Sequence, residues 1–305
     1  MDPNLSDLTD QIALDPKQFI GIPLALVGAV FLSLGAQFQH RGVTKVEAHT
    51  ADALGKGLNL GQLWLLLARP SWVIGTVMLG LAIVFQLASL TFAPIIVVQP
   101  LGAIALVITS ILNSRINKVK LNSKSITAIV MCVGGVFLFV GVAAFTAVDK
   151  PVTDRQLITI LTLLACVLVA AGLAFWFFRS RIRATFYVLM AGVLYGFVAT
   201  LAKVVIGRVQ QGEFEWLTLT CVIGLLAATA LGAYFVQNAY ASGPPDLVIA
   251  GLTVVDPIVA VLIGIVVLGE ASQAALWANV TFAIAGAIAV WGVFLLARNH
   301  PQTRL

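Results

Sequence analysis

Charge is scarce in this sequence. Lys, Arg, Asp and Glu make up 10% of its 305 residues, whereas soluble domains carry about 25%. Apolar side chains make up 60%, and the mean hydropathy is +1.02. So few charges cannot cover the surface of a soluble domain of this length. We therefore predict an all-α polytopic membrane protein whose first partner is the lipid bilayer.

Cysteine and catalytic motifs are also rare. Cys132, Cys166 and Cys221 lie inside apolar runs without metal-ligand spacing, which predicts neither disulfides nor a zinc site. The sequence has no Walker A motif, phosphate loop or nucleophile cluster. We therefore expect no enzyme activity, no cofactor and no bound metal. The polar segment 1–19 lacks the basic region of a cleaved signal, so we expect it to remain as an N-terminal tail.

Nine apolar runs are long enough to cross a bilayer, which takes about 20 helical residues. They are numbered span 1 to span 9 and cover residues 20–39, 72–91, 94–112, 124–144, 156–178, 184–206, 216–240, 246–268 and 275–296. The apolar segment 58–69 is too short to cross. We expect it to form an interfacial or re-entrant helix.

The basic residues predict the orientation. In the nine-span topology, thirteen Lys and Arg residues fall on one side, and four, namely Lys17, Lys150, Arg155 and Arg208, fall on the other. Because cytoplasmic loops are enriched in basic residues, we predict an outer N-terminus and a cytoplasmic C-terminal tail (297–305) in the plasma (cell inner) membrane. The net charge of +5 is explained by this topology, so we expect no nucleic-acid binding.

Spans 1 to 4 resemble spans 6 to 9. Gln86-Leu-Ala corresponds to Gln237-Asn-Ala, and Gln99-Pro-Leu-Gly-Ala corresponds to Asp256-Pro-Ile-Val-Ala. Four spans plus one linker span place the two halves in opposite orientations, which is the inverted repeat typical of secondary transporters. The predicted units are the first repeat 20–144, the linker span 156–178 and the second repeat 184–296.

Proline occurs inside the matching spans 3 and 8. Pro100 lies twelve residues before Leu112, where span 3 ends, and Pro257 lies twelve before Gly269, directly after span 8. At ~1.5 Å per residue this places both near mid-membrane. Proline removes a helical N–H and clashes with the preceding turn. We expect the helix to kink or open locally at both residues, beside a packed interior or a cavity.

Asp256 is the acid that the pattern places deep inside a span. A charge at mid-membrane costs at least about 2.5 kcal/mol, so we interpret Asp256 as a proton carrier or cation contact, with a structural cap as the alternative. If the repeats meet, four amide side chains would line the same cavity: Gln86, Gln99, Gln237 and Asn238. Each could instead join neighbouring helices. We expect Lys203, near the end of span 6, to extend to the headgroups and not to pair with Asp256.

The stretch FAPIIVVQPLGA (92–103) resembles the drug/metabolite transporter (EamA-like) superfamily, and within it the NIPA-type magnesium transporter branch. FLSLGAQFQHRGV (31–43) and RPSWVIG (69–75) extend the similarity over most of the chain. The resemblance implies the nine-span fold and secondary transport. That branch usually has a glutamate in span 2, a few residues before an asparagine, and this chain has Ile83 and Gln86 at those positions. Magnesium needs oxygen ligands, commonly carboxylates, so magnesium becomes the second candidate.

Three functions remain open. The first is a secondary carrier that moves a small organic metabolite or amphiphile by alternating access, coupled to protons. The second is a NIPA-like magnesium or divalent-cation transporter. The third, of another class, is a membrane scaffold or lipid-binding partner in an envelope complex, which would tolerate Asp256→Asn.

Overall fold

The computed structural model describes residues 18–47, 68–116, 123–178, 184–242 and 245–299. Within these ranges the chain is helical between short connections, and nine stretches are long and apolar enough to cross a membrane. The prediction of an all-α polytopic membrane protein is thus confirmed. The N-terminal tail and nearly all of the segment 58–69 lie outside the described residues, so the predictions about them remain predictions.

The observed helices keep the span numbers given above. Spans 1 to 5 are Gln18–Glu47, Pro70–Phe92, the pair Ile95–Leu101 and Ala103–Ile116, Ser123–Thr146, and Asp154–Phe178. Spans 6 to 9 are Ala184–Gln211, Trp216–Ser242, Pro245–Ile263 with the π-helical turn Gly264–Leu268, and Leu276–Asn299. Exposed apolar side chains such as Val130, Leu226 and Val266 cover the outside of the bundle, as a surface in contact with lipid requires.

Small residues hold the spans together. A Cβ on Gly75 of span 2 would lie 2.8 Å from the carbonyl oxygen of Gly35 in span 1, and a Cβ on Gly135 of span 4 would lie 2.8 Å from that of Ala285 in span 9. Side chains of any size would force these pairs of helices apart. Since apolar side chains gain nothing by leaving lipid for protein, such close backbone contact is the main attraction between membrane helices.

Span 3 breaks beside its proline, whereas span 8 does not. The break in span 3 lies at Gly102, whose N–H donates to the Gln99 carbonyl (3.1 Å) in a tighter turn. Span 8 continues as a helix through Pro257, so the chain is not interrupted there as it is at Gly102, and a kink at Pro257 stays a prediction. Gly196 of span 6 packs against Val259, and a Cβ on Gly196 would lie 3.0 Å from the Asp256 carbonyl oxygen. These contacts support the helix on both sides of Pro257.

One face of the bundle, called the Glu270 face, carries the connections between spans 2 and 3, 4 and 5, 6 and 7, and 8 and 9. The Val148 N–H in the second of these donates to the Glu270 carbonyl in the fourth (2.8 Å). Span 8 reaches this face through its π-helical turn and ends at Gly269, whose φ of 71° reverses the chain direction. That left-handed conformation favours glycine, and it directs Glu270 back into the protein.

Candidate functional site

A cavity of about 450 Å³ lies between spans 1, 2, 3, 6 and 8. Its wall is mostly apolar and includes Leu32, Ile83, Leu87, Val198 and Leu252. The polar side chains in the described lining are Gln86, Gln99, Tyr195, Thr253 and Asp256. The spans therefore line a half-open cavity large enough for a small organic molecule, and its polar groups are few, as is usual in ligand sites.

Asp256 is the one charged side chain among the described lining residues. Its Oδ1 is buried and makes no hydrogen bond within the described part of the chain. Span 8 presents this carboxyl at the point where Pro257, which lacks an N–H, leaves the Thr253 carbonyl without its usual helical partner. A buried oxygen without a partner costs about 1–3 kcal/mol, so Oδ1 is a ready acceptor for a donor or a cation that enters the cavity.

Gln86 and Gln99 reach the same cavity from spans 2 and 3. Gln99 is buried, at 6% exposure, and stands at the break of span 3. The structure thus brings together three of the five residues that the sequence grouped. Each amide can both donate and accept a hydrogen bond, so the pair can orient a bound molecule around Asp256.

Gln237 and Asn238 do not join this group. Gln237 is exposed, and the Asn238 Nδ2 donates to the Tyr234 carbonyl on the same helix (2.8 Å). Neither lines the cavity. Gly232 of span 7 instead makes room for Tyr195, with a Cβ position 2.9 Å from that ring. Span 6 therefore supplies the polar group on this wall, and the expected cavity placement of the two span 7 amides is corrected.

A second cavity, of about 90 Å³, lies between spans 3, 4, 8 and 9 and is lined by both prolines, Pro100 and Pro257. The rest of its wall is apolar apart from Thr253, and it includes Val136, Phe139 and Val293. Ala103, Thr253 and Pro257 line both cavities. The two chambers are therefore neighbours that share one wall.

Glu270 is a buried acid that the sequence reasoning missed. It is 2% exposed, and its two carboxylate oxygens accept the N–H groups of Ile95 (2.9 Å) and Ile96 (2.8 Å). These N–H groups belong to the first turn of span 3, where a helix leaves its donors unsatisfied and carries partial positive charge. Gly264 leaves room for the carboxylate, since a Cβ there would lie 3.0 Å from Oε2.

Lys203 of span 6 binds the same connection between spans 2 and 3. Its Nζ donates to the carbonyls of Leu90 (2.8 Å) and Ala93 (3.1 Å), at the end of span 2, and pairs with Asp149 (2.8 Å). The expectation that Lys203 extends to the headgroups is wrong, because the residue is 5% exposed. Unpaired carbonyls at a helix end are good acceptors for a cation, and they keep the ammonium inside.

These charges lie directly beyond one end of the larger cavity. Leu90 and Ala202 line the cavity, and the neighbouring Lys203 is bonded to the Leu90 carbonyl. Further out, the buried Arg208 pairs with Asp154 at 2.7 Å and also with Glu213. Bonded charged groups thus lie between this end of the cavity and the Glu270 face.

Burial raises the pKa of Glu270 to about 7, while its bonds to the Ile96 and Ile95 N–H groups and the charge of Lys203 lower it. Loss of hydration disfavours the carboxylate, whereas N–H donors and a nearby cation favour it. The group therefore titrates near neutral pH in a connection outside the spans. No local pattern indicated this, because Glu270 immediately follows an ordinary apolar run and its partners lie 175 and 174 positions away.

Metal ligands do not gather in the described residues: no group of three or more His, Cys, Asp and Glu side chains is close enough to hold an ion. The larger cavity offers one carboxylate, amide oxygens, a phenol and a hydroxyl. This donor set suits a singly charged or neutral organic molecule better than a dehydrated divalent ion, which takes six or more oxygen ligands.

Comparison with known proteins gives partial matches. No family model matches the chain, and no solved structure does. The chain is 26% identical over 294 residues to an uncharacterized protein of Corynebacterium glutamicum, covering 94% of this chain and 97% of that protein. It is 28% identical over 122 residues to the probable magnesium transporter NIPA1 of Arabidopsis thaliana, and 32% identical over 115 residues to the probable magnesium transporter NIPA4 of that plant.

The plant matches cover 40% and 38% of this chain. The chain spans about a third of the length of those two proteins, namely 35% and 32%. Together with the nine spans, these similarities support a membrane transporter.

Proposed function

We propose that this protein is a secondary carrier that moves a small organic metabolite or amphiphile across the plasma membrane by alternating access. The observation that carries the proposal is the 450 Å³ cavity inside the bundle, with the unpartnered Asp256 Oδ1 in its wall. A static membrane scaffold has no need of such a chamber, and an unsatisfied buried oxygen is costly unless something binds there.

The packing of the spans supports two inverted repeats as the moving parts. Span 1 packs on span 2 through Gly35 and Gly75, and span 6 packs on spans 7 and 8 through Tyr195 against Gly232 and through Gly192 and Gly196. The cavity lies between these two groups of helices. Rocking one group against the other would open the cavity to alternate sides of the membrane.

The bonded charged groups between the cavity and the Glu270 face fit a carrier that opens on one side at a time. Glu270 holds the start of span 3, and Lys203 holds the end of span 2. To open on that side, the protein would have to break these bonds or move the bonded residues together as a unit. We propose that the Glu270 face is the outer face, in agreement with the basic-residue count, and that the described state is closed to the outside.

Asp256 also supports proton coupling. A carboxyl in a low-dielectric chamber accepts a proton readily when empty and releases it when a substrate takes its place. In vesicles given only a pH gradient, wild-type protein should then concentrate substrate, and Asp256→Asn should not. Concentration by the Asn variant would place the coupling elsewhere.

Magnesium is the second candidate, favoured by the similarity to probable magnesium transporters of Arabidopsis over about two-fifths of the chain. The one carboxylate of the cavity would bind a hydrated ion through water, since magnesium usually keeps several waters. Vesicles containing a magnesium indicator test this directly. Uptake that is lost in Asp256→Asn would replace the organic substrate with the ion.

The deciding experiment is counterflow into vesicles containing the purified protein. The vesicles are loaded with a small-molecule extract of cells that lack the gene, and exchange is followed by mass spectrometry against an isotope-labelled extract outside. We expect exchange of one or a few compounds, absent from protein-free vesicles. If no compound exchanges and no magnesium enters, the carrier proposal fails.

A further inference from the structure

Two neighbouring cavities, both with mostly apolar walls, share the lining residues Ala103, Thr253 and Pro257. The larger has the carboxyl of Asp256 and two amides, and the smaller is apolar, with Val136 and Phe139 in its wall. A ligand that reached past these three residues from one cavity into the other would carry a polar group at one end and an apolar group at the other. The charge of the polar group can be inferred from the residues around it.

The polar group is a cation. The buried Oδ1 of Asp256 is an acceptor without a partner, and no Lys or Arg stands among the described residues of either wall. An anion would meet a carboxylate with nothing to balance it, and charges of like sign at short range in a low-dielectric site repel strongly. A neutral hydroxyl would satisfy the hydrogen bond but would not replace the proton that the empty site holds, whereas a cation takes the place of that proton on the carboxylate.

The cation carries one charge. One carboxylate neutralises one charge, and a second charge would remain unpaired at mid-membrane, where each costs at least about 2.5 kcal/mol. The amide oxygens of Gln86 and Gln99, which line the same chamber, can accept the remaining N–H groups of a primary ammonium.

We propose that the substrate is an organic monocation: a single ammonium-type group that pairs with Asp256, attached to a compact apolar group that occupies the smaller cavity. This inference rests on the carrier function proposed above and names the substrate class of the same site. The smaller cavity, at about 90 Å³, limits the apolar group to a short alkyl chain or a single ring.

Three probes of similar shape and one without the ring test the inference by calorimetry on the purified full chain in nanodiscs. They are phenethylammonium, its neutral analogue 2-phenylethanol, its anionic analogue 3-phenylpropionate, and methylammonium, which has the charge without the ring. We expect phenethylammonium to bind at least about tenfold more tightly than either analogue, a difference of about 1.4 kcal/mol. Asp256→Asn should remove that preference and leave the weak binding of 2-phenylethanol unchanged.

The apolar half of the site has its own variant and control. Gly286 lines the smaller cavity, and a Cβ there would lie 3.8 Å from the Phe139 ring, so Gly286→Leu should fill the space. It should weaken phenethylammonium about tenfold or more and leave methylammonium unaffected. Gly134→Leu is the matched control, because Gly134 is exposed on span 4 with no heavy atom within 4 Å of its Cβ position.

Three results would overturn the inference: no saturable binding of phenethylammonium, equal binding of the neutral analogue, or an Asn variant that keeps the preference for the cation. Each leaves the carrier proposal intact if counterflow still reveals an exchanged compound. If counterflow fails but the cation still binds selectively, the carrier proposal fails and the cation site stands.

Discussion

Replacing Glu270 by Ala should destabilise the protein strongly, although the residue lies outside the spans. The substitution removes the acceptors of two buried N–H groups, those of Ile95 (2.9 Å) and Ile96 (2.8 Å). Each unsatisfied buried donor costs about 1–3 kcal/mol, so we expect a loss of about 2–6 kcal/mol in the free energy of unfolding. Glu270→Gln keeps the shape and one acceptor oxygen, and should lose about half of that.

The measurement is unfolding by sodium dodecyl sulfate in mixed micelles at pH 8, followed by circular dichroism. Glu215→Ala is the control, since this acid on the same face is 59% exposed and lies 3.7 Å from the Arg208 guanidinium. Glu215 is itself exposed, and the buried Arg208 keeps its shorter pairs with Asp154 and Glu213, so the control should cost no more than about 1 kcal/mol. If Glu270→Ala were as stable as Glu215→Ala, the carboxylate would not be what holds the start of span 3.

Three further predictions concern the pH dependence of stability, the bonds of Lys203 and the topology. Because burial raises the pKa of Glu270 to about 7, from an ordinary 4.5, the folded state holds this proton more tightly than the unfolded state. The unfolding free energy of the wild type should therefore fall, relative to Glu270→Gln, as pH rises through that window, and an identical pH profile would contradict the assignment. Lys203→Met should cost about 1–3 kcal/mol in the same unfolding assay, because it leaves the Leu90 and Ala93 carbonyls and Asp149 without their cation; an unchanged midpoint would show that water replaces the ammonium. In a cysteine-free background, Cys at Arg155 should react with an impermeant maleimide in intact cells and Cys at Ser242 only after lysis, and labelling of both from one side would end the proposed topology.

The nine spans could be predicted from the sequence because an apolar run of about 20 residues is a local property, and lipid requires the run to be helical. Asp256 could be singled out for the same reason, since a charge inside such a run stands out whatever the fold. The structure then placed it in the wall of the larger cavity beside Gln86 and Gln99.

The surroundings of the cavity could not be predicted this way. A helix turns through a full circle every 3.6 residues, so a small rotation decides whether a side chain meets a cavity or lipid. Gln237 and Asn238 match the first repeat in sequence and still lie outside the cavity lining, because span 7 packs with Gly232 against Tyr195. Helix rotation is set by such contacts between distant residues.

The burial and the bonding partners of the charged groups on the Glu270 face depend on tertiary structure alone. Glu270 meets Ile95 across 175 positions, and Lys203 meets Leu90 across 113. In the sequence, Glu270 is an acid after an apolar run and Lys203 is a lysine near the end of a span. Hydropathy alone therefore predicts that both side chains are exposed to water. The ends of spans 2 and 3 offer unpaired carbonyls and N–H groups at that depth, and a buried charge is stable where such groups replace its water.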